Sequence, residues 1–212
     1  MRVTNVEVTI VEVPQIAPIA PYRSHVRSSS TTMSAIVKVE TDEGLEGWGE
    51  HNVNFLPEIS GSSMQADARA WLIGRDPTNL QAYHRDCRLE TRLKSGIELA
   101  LWDLKGKALG VPVVELLGGK IRDEVEVAAC MGIQTYERAG EIASFYVEQG
   151  FESLKTKAGS DMQEDLEMVR GVRDAVGDRL KLRIDPNRAY SLEQAIELGR
   201  RLEEYELEYL EQ

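Results

Sequence analysis

The sequence predicts an α+β region over residues 1–120, followed over residues 121–212 by the parallel βα units of a barrel or sheet. Three observations predict it. The first 50 residues alternate polar and apolar side chains around a hairpin turn. After Lys120, strand-like and helix-like segments alternate. Three of the strand-like runs, FESLKTK, LKLRIDPN and LEYLE, end in polar residues, and the steps Lys155 to Asp185 and Asp185 to Glu211 are 30 and 26 residues, about one βα unit each.

Residues 3–13 alternate as one strand, residues 34–41 (SAIVKVET) as a second and LEGWGE as a third, with Asp42-Glu43-Gly44 as the turn between the last two. The stretch PQIAPIAPYRSHVRSSSTT, rich in Pro and Ser, is expected to lack regular structure and to serve function. From Ser62 the pattern turns helical: SSMQADARAWLIG and NLQAYHRDCRL are separated by the break Asp76-Pro77. RLKSGIELALWDLKGKALG is a third helix, with Ile97, Leu101, Leu104 and Ala108 on one stripe and with Gly110 and Pro112 as its stop. VPVVELLGG reads as a short helical turn. Then come the strand EVEVAACMG, the helix YERAGEIASFYVEQG, FESLKTK, the helix DMQEDLEMVRGVRDAVG and LKLRIDPN. A helix opened by a Ser191/Gln194 capping box leads to LEYLE. Strands alternating with helices of this length argue for a parallel sheet with right-handed crossovers.

A net charge of −11 argues against a nucleic-acid backbone or an anionic membrane surface as partner. Cys87 and Cys130, the only cysteines, form no CxxC pair, so neither a zinc site nor a redox motif is expected and both should stay reduced. The alternating N-terminus reads as a strand and not as a signal peptide, and no apolar run approaches the ~20 residues that span a bilayer. A cytoplasmic protein is the expectation. Trp71 and Trp102 are read as core, and His84 as a helix-surface residue. Phosphate-binding glycine loops and nucleophile elbows are absent from the sequence.

In a parallel sheet or barrel the C-terminal strand ends converge on the face that carries the chemistry. Lys155 and Lys157, two apart on a strand, share one side of it, as do Asp185 and Asn187. Two neighbouring ammonium groups are expected to lower each other's pKa, which suits a base. Asp185 supplies a hard oxygen suited to Mg²⁺. Each motif alone has a plain alternative: decorative lysines on an edge strand, a simple DPN turn, or Glu211 as one of many exposed glutamates. Their sequential arrangement at βα spacing favours a shared site, and a divalent metal with a lysine base is its simplest use. His25 and His51 fall in expected loops, where substrate contact is open to them.

These segments resemble the mandelate racemase/muconate lactonizing enzyme family of the enolase superfamily over essentially the whole chain. KSGIELALWDLKGKALGVPVVELLGG is similar to the segment that closes the family's N-terminal region, KTK to its KxK motif, DPN to its D-x-N and LEYLEQ to its metal segment. The resemblance implies an α+β capping domain followed by a modified TIM-type (β/α) barrel, of which about the first four strands fall in this chain. It implies a Mg²⁺-dependent enzyme that removes the proton α to the carboxylate of a small-molecule substrate, as racemase, epimerase or cycloisomerase. The runner-up is an acid-sugar dehydratase. Lys157 would be the base and Lys155 its electrostatic assistant, Asp185 and Glu211 metal ligands, and Asn187 a substrate neighbour. Loops 16–30 and 51–57 would cover the site, with Arg23, His25 and His51 as substrate contacts. Glu211-Gln212 leans toward the muconate lactonizing, dipeptide epimerase and succinylbenzoate synthase side. The family's third acidic ligand and second acid/base would lie beyond Gln212. Because a closed barrel typically needs ~250 residues by itself, this chain is expected to be the N-terminal part of a longer enzyme. Read as a whole protein, it would instead be a non-catalytic half-barrel that binds a partner. Exposed edges also make a homo-oligomer the expectation.

Overall fold

A computed structural model describes residues 1–54 and 60–211. The chain divides into two compact units, one comprising residues 1–13 and 32–123, the other residues 14–31 and 124–212. The segment 14–31 thus belongs by its contacts to the C-terminal unit, although in chain order it lies inside the N-terminal region.

In the first unit, strands β1 (Val3–Pro14), β4 (Thr31–Thr41) and β5 (Glu46–Asn52) form a sheet in the order β1-β4-β5. β4 and β5 are an antiparallel hairpin whose register sets Ala35 opposite His51, Val37 opposite Gly49 and Val39 opposite Gly47. Its turn is the expected one, with Gly44 at φ 77°, a backbone conformation that glycine adopts without a Cβ penalty. Helices α1 (Gly61–Leu72), α2 (Leu80–Asp86), α3 (Thr91–Leu109) and α4 (Val113–Leu116) follow. α3 is capped by the Glu90 carboxylate, which accepts from the Arg92 and Leu93 N–H groups, and it stops at Gly110 in the left-handed conformation. Its buried stripe holds Leu93, Ile97, Ala100, Leu101 and Leu104, whereas Ala108, expected on that stripe, lies in the last turn and is exposed. Gly49 and Gly96 let β5 and α3 touch backbone to backbone: a Cβ on Gly49 would stand 2.0 Å from the Gly96 carbonyl oxygen. Trp71 and Trp102 pack against this core, and His84 is half-exposed beside Glu98.

In the second unit, segment 14–31 carries a small antiparallel hairpin, β2 (Tyr22–Arg23) with β3 (Ser28–Ser29), where an irregular stretch was expected. β6 (Ala129–Met131), β7 (Ser153–Lys157), β8 (Lys181–Asp185) and β9 (Tyr209–Leu210) form a parallel four-stranded sheet in the order β6-β7-β8-β9. The crossovers are α5 (Tyr136–Glu148), α6 (Met162–Val176) and α7 (Leu192–Leu202), the last opened by the Ser191/Gln194 capping box. β6 is shorter than EVEVAACMG suggests. Pairing with β7 runs only from Ala129–Leu154 to Met131–Thr156, and β7 begins at Ser153, so Val125 and Val127 find no partner strand and stay exposed. Leu154, Leu182 and Ile184 point into the core shared with the helices, where Ala139, Ala143, Met168, Val169 and Val172 are also fully buried. Side-chain alternation then sends Lys155, Lys157, Arg183 and Asp185 to the opposite face of the sheet. Among the described residues no helix is long and apolar enough to cross a membrane. Cys87 and Cys130 are free thiols.

Candidate active site at the strand ends

The register of the parallel sheet places Lys157 beside Asp185, and the backbone N–H of Glu211 donates to the Ile184 carbonyl at 2.9 Å. Three strand ends thereby bring five side chains into one hydrogen-bonded group. Lys157 Nζ donates to Asp185 Oδ2 at 2.5 Å and to Asn187 Oδ1 at 2.7 Å. Lys155 Nζ lies 2.6 Å from Glu211 Oε2 and 3.1 Å from Asp185 Oδ2. Asn187 closes the group, donating from its backbone N–H to Asp185 Oδ1 at 2.9 Å and from Nδ2 to Oδ2 at 3.2 Å.

Asp185 is almost fully buried, at 1% exposure. Burial pushes its carboxyl pKa up, but the hydrogen bonds from Lys157, Lys155 and the Asn187 backbone outweigh that and hold it below the usual carboxylate range. Burial likewise pulls the Lys155 ammonium down, and the hydrogen bonds to Glu211 and Asp185 more than reverse it. The pKa of Lys155 is therefore raised, contrary to the lowering expected for it: its ammonium faces the Glu211 and Asp185 carboxylates, whose attraction outweighs the cost of burial. The DPN segment is both turn and site. Asn187 and Arg188 sit at φ 52° and 65°, and Asn tolerates the left-handed region because its short polar side chain bonds locally.

The carboxylates of Asp185 and Glu211 converge on a single cation, the Lys155 ammonium. Hard anionic oxygens of this kind are the donors that suit Mg²⁺, so these are the two residues that could hold such an ion. Among the described residues no group of three His, Cys, Asp or Glu side chains is assembled for a metal.

Arg23, in β2, pairs with Glu164 of α6 at 2.9 Å, and its carbonyl accepts from the Ile133 N–H at 2.7 Å. His25 lies in the β2–β3 turn, as expected of a loop residue, with Nδ1 buried and without a hydrogen-bond partner among the described residues. His51 is not in a loop. It belongs to β5 and is 5% exposed, and a Cβ on Gly96 would stand 2.4 Å from its Nδ1. Of loop 51–57, residues 55–57 lie outside the described residues, as does Gln212 of the Glu211-Gln212 pair.

The structure adds a residue that the motifs did not include. Asp165, in the first turn of α6, is fully buried, and its Oδ2 accepts from the Gly159 N–H at 2.8 Å and from the Tyr190 hydroxyl at 2.5 Å. Its signal in the sequence is position: Asp165, Val169, Val172 and Val176 recur at helical spacing, so an acid stands on an otherwise apolar stripe.

Comparison with known proteins places the chain. Residues 5–118 match the mandelate racemase/muconate lactonizing enzyme N-terminal domain, and residues 137–212 match the enolase C-terminal domain-like family. The chain belongs to the mandelate racemase/muconate lactonizing enzyme family. Curated relatives include racemases, cycloisomerases, epimerases and dehydratases. It is 30% identical to the N-succinyl-L-Arg/Lys racemase of Bacillus cereus, over 90% of this chain and 53% of that enzyme. It is 31% identical to the D-galactarolactone cycloisomerase of Agrobacterium fabrum, over 91% of this chain and 54% of that enzyme. Its fold matches a dipeptide epimerase from Enterococcus faecalis V583, crystallised with Mg and the dipeptide L-Leu-L-Tyr, with a TM-score of 0.88 at 27% identity, covering 99% of this chain and 60% of that one. The chain spans about half the length of the curated relatives it matches.

Proposed function

We propose that this chain supplies the base and part of the metal site of an enzyme, an isomerase or lyase, that abstracts the proton α to the carboxylate of a small-molecule substrate. The observation that carries the reading is the single hydrogen-bonded group of Lys155, Lys157, Asp185, Asn187 and Glu211 at the C-terminal ends of three consecutive parallel strands. Lys157, 18% exposed at the side chain, is the base: in its neutral form Nζ takes the α-proton and becomes ammonium. Lys155 places a second positive charge where negative charge grows on the substrate carboxylate. Asn187 orients both Lys157 and the Asp185 carboxylate. Asp185 and Glu211 would hold Mg²⁺, which when bound supplies Lewis-acid neutralisation of the substrate carboxylate. Solved relatives crystallised with Mg support the choice of ion. Arg23 and His25, in the hairpin segment of the same unit, are the candidates for contact with the distal part of the substrate. A cytoplasmic homo-oligomer remains the expected form.

Racemisation, epimerisation, cycloisomerisation and dehydration all begin with this abstraction and part only afterwards, so the test reads the shared step. Candidate substrates are N-acylated amino acids and dipeptides first, with sugar acids as the second set. Incubated in D₂O with Mg²⁺, they should take deuterium at the α-carbon, at a rate that collapses in Lys157→Ala. Exchange that persists at the wild-type rate in Lys157→Ala would remove the base assignment. Absence of exchange with every carboxylate class would leave the half-barrel interaction module as the better reading.

A further inference from the structure

We propose that Asp165 is a positioning residue for Lys157 and Asn187, fastening the loop after β7 to the loop after β8. The inference rests on the reading of Lys157 as the base. One carboxylate oxygen, Asp165 Oδ2, accepts from both loops: from Gly159 N–H at 2.8 Å, two residues after Lys157, and from the Tyr190 hydroxyl at 2.5 Å, three residues after Asn187. The loops also touch directly. Gly159 sits at φ 100°, and a Cβ on it would stand 2.5 Å from the Ala189 Cβ and 2.9 Å from the Pro186 carbonyl oxygen. Between them the Ala158 N–H donates to the Asp185 carbonyl at 3.2 Å. The β7 and β8 loops are thereby held together directly beyond the Lys157–Asp185 pair.

A plainer role for Asp165 would be to cap α6. That role is already filled: Asp161 is the N-cap, and its carboxylate accepts from the Gln163 and Glu164 N–H groups. Asp165 stands one turn further on, fully buried, with Oδ1 lacking a hydrogen-bond partner among the described residues. A buried carboxylate in that condition is costly to keep unless its ordering effect is used. The use is geometric: a displacement of 1 Å at a reacting group costs about a hundred-fold in rate.

The test follows Lys157 without requiring turnover. Lysine side chains of the full chain are labelled with ¹⁵N at Nζ, and the Lys157 signal is assigned by its loss in Lys157→Arg. Asp165→Ala and Tyr190→Phe should both move the Lys157 signal and speed amide exchange in residues 157–161 and 186–190. The signal of Lys181, at the opposite end of β8, should stay in place. Asp165→Asn keeps an oxygen able to accept both bonds and should restore the wild-type Lys157 signal. Where a substrate is turned over, kcat in Asp165→Ala should fall about ten- to a hundred-fold with KM within about two-fold. A Lys157 signal and loop exchange unchanged in Asp165→Ala overturn the proposal. If that variant does not fold, the same result in Tyr190→Phe overturns it. Failure of the wild type to exchange α-protons would instead overturn the proposed function, and the lysine signals would still decide the role of Asp165.

Discussion

Lys157 Nζ lies 2.5 Å from Asp185 Oδ2, so the residue assigned to take a proton is bonded to a residue assigned to hold a cation. The pairing couples the two roles. A substitution at either residue removes a hydrogen-bond partner of the other, so neither role can be altered without disturbing the geometry of its neighbour.

Removing the base should therefore cost more than removing a binding group. Lys157→Ala is expected to lower the rate of α-proton exchange by about 10²–10⁴-fold. Lys157→Arg should be no better, because guanidinium stays protonated throughout the accessible pH range. Proton NMR of a turned-over carboxylate in D₂O measures both.

The ligand assignment has its own reading. Asp185→Asn and Glu211→Gln should each weaken Mg²⁺ binding by more than about ten-fold in calorimetric titration. Glu208→Gln serves as control, since Glu208 is engaged by Arg183 at 2.5 Å and lies outside the cluster. Variants that titrate like the wild type would show that the two carboxylates are only partners of the lysines.

His51 should give the first unit a pH-dependent stability. Burial lowers its pKa, opposed by the nearby charges of Glu90 and Glu50 and assisted by that of Arg92. The folded state therefore prefers the neutral ring, while the unfolded chain protonates near the ordinary value of about 6.5. The stabilisation is full above that pH and is lost progressively as pH falls toward the lower folded value. Urea midpoints at pH 7.5 and 5.0 should differ in the wild type and converge in His51→Leu.

Gly49→Ala should destabilise by about 1–3 kcal/mol or more, because the added methyl meets the Gly96 carbonyl 2.0 Å away and backbone cannot swing aside as a side chain can. Gly44→Ala, at the open hairpin turn, would suffer only the conformational cost of its positive φ. Urea denaturation of the two variants separates contact from conformation.

Period and spacing made much of this legible in the sequence. The β4–β5 hairpin, the α3 stop at Gly110 and the order of the βα units follow from alternation, caps and turn residues, which act within a few positions of one another. The strand-end cluster was legible for the same reason: residues two apart share a face, and the βα repeat brings successive strand ends together. What escaped depends on partners distant in the chain. EVEV alternates like a strand, but β7 offers it nothing to pair with. His51 looks like a loop residue until Gly96 of α3 is seen to make room for its ring. Asp165 reads as one more helix acid, and only the return of Gly159 and Tyr190 gives it a role.

Segment 14–31 has a consequence for how such a protein can diversify. It is encoded within the N-terminal region yet folds with the C-terminal unit, its hairpin held through the Arg23–Glu164 and Ile133–Arg23 bonds. The two units are therefore not interchangeable cassettes. A recombination that joined residues 1–120 to a foreign C-terminal half would import a hairpin shaped for the βα units left behind. A change in that hairpin has to be matched in a unit encoded a hundred residues downstream, by paired substitution and not by exchange of modules.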